Sequence, residues 1–482
     1  MTVDLDQAQL QADPLADQTI AGIVGTWEAL SPSTSAVEAI NAQAMRWQRL
    51  AAVSKLFEQW TTNAALVGWT AQAPGLTPAM LKSLDDYVAS ARVLPDWADA
   101  AKIARAETLF YEDGVMSCLL LFCASLPECY VIPDLSAVLH ASGQLEKHTD
   151  YRIRATAAMI FPVMLKGGLT DPVSGTGTGT DVAASAGAGV AQVLKVRLIH
   201  ATIRNLILHG EPSRAATVAT VVPPLASLRS SQNMHHALFA HGWNIAADGL
   251  PCNQEELAYT LLTFGYVYLR GMRCLGIGLE PADEEAMLHA WNVMAHLLGI
   301  RRELMVDTMD EAEALFERMQ ARGRTDPSIE KPDPRPPLAA ALMQTMEDVI
   351  PLRILKPFPV LLTRMLCGAD NASDLGLDGR VGWPSRLLFW LVMTLARGID
   401  WVVRLVLPEF SLTRFISRVV GYSLLTKLLM DQTRPLKLPE HLLSQVAGMA
   451  DAWSDDPKAP RWLNALEDRL TTRGSWNSTR KA

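Results

Sequence analysis

The sequence predicts an all-α protein, and three observations carry that reading. Segment after segment repeats apolar residues at helical spacing. These segments are opened by caps or prolines and closed by Gly or Pro. The clearest is Ala191 to Gly210, AQVLKVRLIHATIRNLILHG, in which Val193, Val196, His200, Ile203 and Ile207 share one side while Lys195, Thr202, Asn205 and His209 occupy others. The composition, 49% hydrophobic and 20% charged over 482 residues, is that of a globular chain with a generous apolar interior.

Taken in order, residues 1 to about 20 are acidic and polar and read as flexible. Residues 20–91 read as helices with turns at 31–35 and 72–78. VLPDWADAAKIARAETLF predicts a Pro-initiated helix, and DGVMSCLLLFCASLPECY a nearly all-apolar one, buried all round and ended by Pro127. A short helical unit follows at 131–145. In YRIRATAAMIFPVML, Arg152, Thr156, Met159 or Ile160, and Val163 fall on one face. By itself this pattern fits an Arg152 that snorkels or pairs with Glu146 or Asp150, and a Thr156 bonded back to its own helix.

Residues 167–189 are rich in Gly, Ser and Thr and predict a mobile loop. The GTGTG within them has no preceding strand, so a dinucleotide fold is unsupported. His235, His236 and His241 lie in a mixed segment without zinc spacing. Asn253 with Glu256 predicts the cap of a long helix whose stripe is Leu257, Leu261, Phe264 and Tyr268. Pro281 starts a helix through Leu298, and another runs from Asp310 to Arg322. GRTDPSIEKPDPRPP is the best linker. The domain expectation is therefore an N-terminal helical extension at 1–91, a core at 92–322, a Pro-rich linker at 323–337 and a helical C-terminal region at 338–482. In that last region Leu387 to Ala396 is too short for a membrane span and is interrupted beyond by Arg397, Asp400 and Arg404. Core packing is the favoured reading, ahead of peripheral membrane contact through 387–407.

A net charge of −8 without a dense Lys/Arg run argues against nucleic acid. Six scattered cysteines without a CxxC pair read as reduced core residues, and the acidic start lacks an export pattern, which together predict a cytoplasmic protein. His200 is thus an inward imidazole with two explanations, a hydrogen-bonded core residue or a metal ligand. Periodicity favours the first.

The wording of several segments resembles the haem-dependent oxygenase family of latex clearing protein (rubber oxygenase) and MpaB. The resemblance runs from about Leu94 to Leu304. It is carried by LPDWADAAKIARAETLF, CASLPECY, the Arg152 to Thr156 unit, KVRLIHATIR, LPCNQEEL and AWNVMAHLLGIRREL. It implies an all-helical fold with a globin-like core, His200 as proximal ligand of a haem b iron, and Arg152 with Thr156 on the distal side. It also implies cleavage of a C=C bond of an isoprenoid or other apolar alkene by dioxygen. In latex clearing proteins a lysine directly precedes that threonine; here the residue is Ala155. The alternatives are a non-catalytic helical haem or lipid carrier and a membrane-surface scaffold using Leu387 to Leu407.

Overall fold

The computed structural model describes residues 3–25, 36–133, 135, 149–170, 187–210, 238, 243–324, 333–348, 350, 353–379, 381–405, 411–424 and 459–471. Among the described residues every regular element is a helix. The 171–186 part of the glycine-rich loop, His235, His236, His241 and most of the unit expected at 131–145 lie outside them.

The N-terminus differs from expectation. Helix α1 (Leu5–Gln9) is capped by Asp4, whose side chain accepts from the Gln7 N–H. Helix α2 (Pro14–Val24) is capped by Asp13, with Pro14 in its first turn. Leu5, Ala8, Ala16, Ile20 and Ile23 are buried, so residues read as flexible are two docked helices. A few apolar residues at helical spacing suffice once the caps satisfy the free N–H groups.

Helix α3 (Ala36–Leu56) and helix α4 (Pro78–Ala91), capped by Thr77, follow. Pro95 does not start the next helix. Helix α5 (Ala100–Leu120) begins where Asp99 caps the N–H groups of Ala101 and Lys102. The helical path then continues through a wide π-type turn, Leu121–Ser125, into α6 (Leu126–Cys129). Pro127 follows directly on the π-type turn, whose wider ring accommodates its ring and missing N–H while the Cys367 thiol donates to the Cys123 carbonyl, so the helical path runs two residues past it instead of ending there. Every residue from Cys118 to Cys129 is buried, as the all-apolar pattern predicts.

Helices α7 (Thr149–Met164) and α8 (Gly189–His209) come next. They are followed by α9 (Ile245–Asp248), α10 (Gln254–Phe264), α11 (Tyr266–Cys274), α12 (Pro281–Leu298), α13 (Met309–Arg324), α14 (Arg335–Asp348), α15 (Phe358–Cys367), α16 (Ala369–Asp374), α17 (Trp383–Arg404), α18 (Leu412–Leu424) and α19 (Arg461–Leu470). Asn253 caps α10 through the Glu256 N–H at 2.9 Å. The long helix read beyond it breaks at Gly265, where a Cβ would press on the Trp291 ring at 3.2 Å.

Helix α12 is the central member, packed on α5, α8 and α10. Leu338, Leu342, Met343 and Met346 of α14 and Val360 and Leu361 of α15 belong to the same hydrophobic cluster as Met287, Leu288 and Trp291 of α12. The 323–337 stretch therefore connects helices that share one core. A buried polar knot reinforces that union. Glu128 accepts from Arg270 at 2.5 Å, from Gln320 at 2.8 Å and from Asn371 at 2.8 Å. Burial raises the Glu128 pKa even with the Arg270 guanidinium beside it.

Candidate functional site

Helices α7 and α8 pack against one another as a hairpin whose base is closed by glycine. The Val190 N–H donates to the Gly168 carbonyl at 3.2 Å, and the Asn63 N–H to Gly187 at 2.7 Å. The Asn63 side chain donates to the Gly168 carbonyl at 2.9 Å and accepts from the Ala191 N–H at 3.2 Å. From α5, Glu107 accepts the Gly167 N–H at 3.0 Å. Burial raises the Glu107 pKa, opposed by the backbone N–H groups it receives. A Cβ on Gly168 would lie 2.3 Å from the Pro162 carbonyl oxygen, and one on Gly189 would lie 2.7 Å from Val163 Cα. Only glycine lets the two strands of backbone meet this closely.

That closure sets the register. Val163 lies against Gly189, and Arg152 and His200 each stand about three turns, or about 16 Å, from that base. The hairpin thus brings the Arg152 to Thr156 segment and His200 to neighbouring heights on two packed helices. Thr156, Ala155 and Met159 are half-buried on α7. The Arg152 side chain and the carboxylates named as its alternatives, Glu146 and Asp150, lie outside the described residues.

On α8 the buried arc is wider than the stripe read from sequence, and it is rotated. Val193 and Ile207 are fully buried, whereas His200, Val196 and Ile203 are half-buried at one margin. Nδ1 of His200 is itself enclosed. The middle of the arc holds Arg197, Ala201, Arg204 and Leu194. Arg197 makes a two-point ion pair with Asp13, at 2.5 Å from Nε and 2.8 Å from Nη2, and donates to the Leu297 carbonyl at 3.1 Å. Arg204 reaches Asp17 at 2.9 Å and the Cys252 carbonyl at 2.6 Å. Burial raises the Asp17 pKa, with Arg204 opposing it. Tyr87 of α4 donates to the Leu194 carbonyl at 2.8 Å.

These arginines hold the helix that carries His200 and were not singled out from sequence. The available signal was a pair of charges seven residues apart in an apolar helix, matched by two aspartates four apart on α2. Neither set names its partner until the chain folds.

Other chemistry is sparse. None of the six cysteines is in a disulfide, and burial pushes Cys118 and Cys123 up to about 12, far from thiolate reactivity. No group of three or more His, Cys, Asp or Glu gathers as a metal site among the described residues. A groove of about 460 Å³ lies between α11 and α17, lined by Arg273, Cys274, Arg397, Asp400, Trp401 and Leu405, and includes no residue of α7 or α8. The hairpin margin carries one half-buried imidazole, His200, beside half-buried Val196 and Ile203.

Comparison with known proteins relates the chain to one group of oxygenases. The catalytic-domain model described as ER-bound oxygenase mpaB/B'/rubber oxygenase matches residues 114–401, a span that contains α7 and α8 entirely. A rubber oxygenase of Streptomyces sp. (strain K30) is 26% identical over 336 residues, covering 69% of this chain and 67% of its own. The solved structure of latex clearing protein LCP in the closed state aligns with 94% of this chain and 91% of that one, at TM-score 0.55 and 19% identity. At that identity the likeness is one of fold.

Proposed function

We propose, from the premise that this chain belongs to the family of mpaB/B' and rubber oxygenase catalytic domains, that it is a haem b-dependent oxygenase acting on an apolar alkene. Dioxygen adds across one C=C bond of an isoprenoid or similar molecule, which is cleaved to two carbonyl products. The observation that carries this reading is the α7–α8 hairpin, which sets His200 level with the Arg152 to Thr156 segment inside the family-matched span.

The residues present fit the cofactor. A haem asks for one imidazole on an apolar wall, and His200 is half-buried beside Val196 and Ile203. His200 would hold the iron, and haem bound there would supply the dioxygen chemistry that side chains lack. Arg152 would offer a permanent positive charge and N–H donors where negative charge develops on oxygen, and Thr156 a weaker O–H donor. Met159, Val196 and Ile203 would exclude water and receive the apolar substrate. Ala155 places a methyl group where latex clearing proteins carry a lysine, so the residue before Thr156 supplies no amine. We assign the substrate to small alkenes rather than polymer on that ground. A reducing, cytoplasmic setting, in keeping with six cysteines outside any disulfide, is part of the same reading.

The test is the absorbance spectrum of the purified chain with and without dithionite, followed by oxygen uptake against isoprenoid alkenes. A Soret band that His200→Ala abolishes while far-ultraviolet circular dichroism is unchanged supports the assignment. Full haem retention in His200→Ala, or a wild-type chain without a Soret band, overturns it. Bound haem with no oxygen uptake on any alkene would make the chain a carrier instead.

A further inference from the structure

Helix α17 is held on the protein by one side and presents the other to solvent. Ala396 and Asp400 are buried, and Phe389 and Met393 pack on the core, Phe389 against Phe358 at 5.4 Å between ring centroids. The opposite face is apolar and open. Trp383 is 74% exposed, Trp390 60%, Leu395 62% and Trp401 70%, with Leu387, Leu391, Ile399 and Val402 exposed between them. This stripe is about 29 Å long. Patches of that length on a soluble surface mark an interaction site. Core packing was the favoured reading of this segment, and the exposed face corrects it. The segment's apolar content exceeds what its one docked side can bury.

Two rows of residues define what covers the face. Trp383, Trp390 and Trp401 are separated by seven and eleven residues, whole numbers of turns, and so line one edge. Arg386, Arg397 and Arg404 run alongside, each three or four residues from a tryptophan. Arg386 and Arg397 are exposed at the two edges where α17 meets the protein, each with one N–H donating to a backbone carbonyl, Arg386 to Asp378 and Arg397 to Cys274, both at 2.8 Å, and the rest of its charge open to solvent. The one acid of the helix, Asp400, is turned inward, where it accepts from the Ser411 and Thr413 hydroxyls at 3.1 Å and 2.7 Å and from the Leu412 N–H. The exposed residues of α17 therefore include arginines and apolar side chains but no acid, in a chain of net charge −8.

We infer that α17 is an interfacial helix whose exposed face lies in the plane of an anionic lipid bilayer. The apolar stripe enters the acyl boundary, the tryptophans sit at headgroup depth, and the arginines meet lipid phosphates. A second copy of the chain is the poorer occupant, because a twofold contact sets this face against itself and α17 offers its arginines no outward acid. No single helix among the described residues, α17 included, is long and apolar enough to cross a membrane.

The test is flotation of the full-length chain with vesicles of phosphatidylcholine alone or mixed with phosphatidylglycerol. Binding to the mixed vesicles, weakened by salt and accompanied by a blue shift of tryptophan emission, is expected. Trp390→Asp and Leu395→Gln should each lower the partition coefficient about tenfold. Arg386→Gln with Arg397→Gln should lower binding to anionic vesicles alone. These are surface positions, and unchanged circular dichroism certifies the fold. Absence of binding to either vesicle overturns the inference. So does a dimer in light scattering that Trp390→Asp converts to monomer, which would assign the face to a second copy. None of these readouts depends on haem or turnover.

Discussion

Asp13 and Arg197 form a buried, two-point ion pair that ties the second helix of the chain to the helix carrying His200. The C-terminus of α12 completes the socket. The Leu297 carbonyl accepts from Arg197, and Gly299, at φ +89°, leaves room that a Cβ would take, 2.5 Å from the Asp13 carboxylate.

Asp13→Ala strands a buried guanidinium and should cost about 3–5 kcal/mol. Urea unfolding should show the midpoint falling with its slope unchanged. The double variant Asp13→Leu, Arg197→Met should recover most of that loss, because an apolar pair leaves no unpaired charge. Gly299→Ala should resemble Asp13→Ala, since it is strained at that φ and drives its Cβ into the same pair.

Gly168→Ala and Gly189→Ala should each destabilise by at least about 2 kcal/mol, because their Cβ atoms meet backbone that cannot give way. Gly398 on the exposed side of α17 meets nothing within 4 Å, so Gly398→Ala should be neutral or stabilising by up to about 1 kcal/mol. Melting temperatures of the three variants test the contrast. Equal losses would remove the hairpin-base explanation.

Within the oxygenase reading, Arg152→Gln should lower turnover about a hundredfold with haem content retained. Thr156→Val should lower it about tenfold, the smaller effect of a neutral donor. Oxygen uptake normalised to Soret absorbance measures both. Loss of haem in parallel with turnover would mean that these residues hold the cofactor.

His289 and His296 flank Trp97, and the His289 ring accepts the Asp99 N–H at 2.8 Å, which requires a neutral imidazole. Burial lowers both pKa values below the ordinary 6.5, helped by Lys102 at His289 and by Arg197 at His296. The unfolded chain therefore takes up protons first. Stability present above about pH 6.5 is lost as pH falls through the window below it. A His289→Gln variant keeps an acceptor without titrating, so its melting temperature should fall less steeply between pH 7 and pH 5 than the wild type's. Parallel curves would exclude His289.

Sequence by itself determined the helical class, the cap at Asn253, the helix start at Pro281, the buried run through Cys129 and the helix around His200. Each is written in neighbouring residues whose spacing or cap chemistry acts locally. Family resemblance attached roles to Arg152, Thr156 and His200, and the match over residues 114–401 agrees with the family. Tertiary structure decided the rest. The acidic start, read as flexible, became the clamp on α8 because Asp13 and Asp17 find Arg197 and Arg204 only after folding, across more than 180 residues. The face of α17 was equally undecided, since periodicity shows that a helix has an apolar side but not whether neighbouring helices cover it. His200 stands at the margin of the buried arc of α8 for the same reason. Partners contributed by α2, α4 and α12, not the helix's own spacing, set which side of it is sealed.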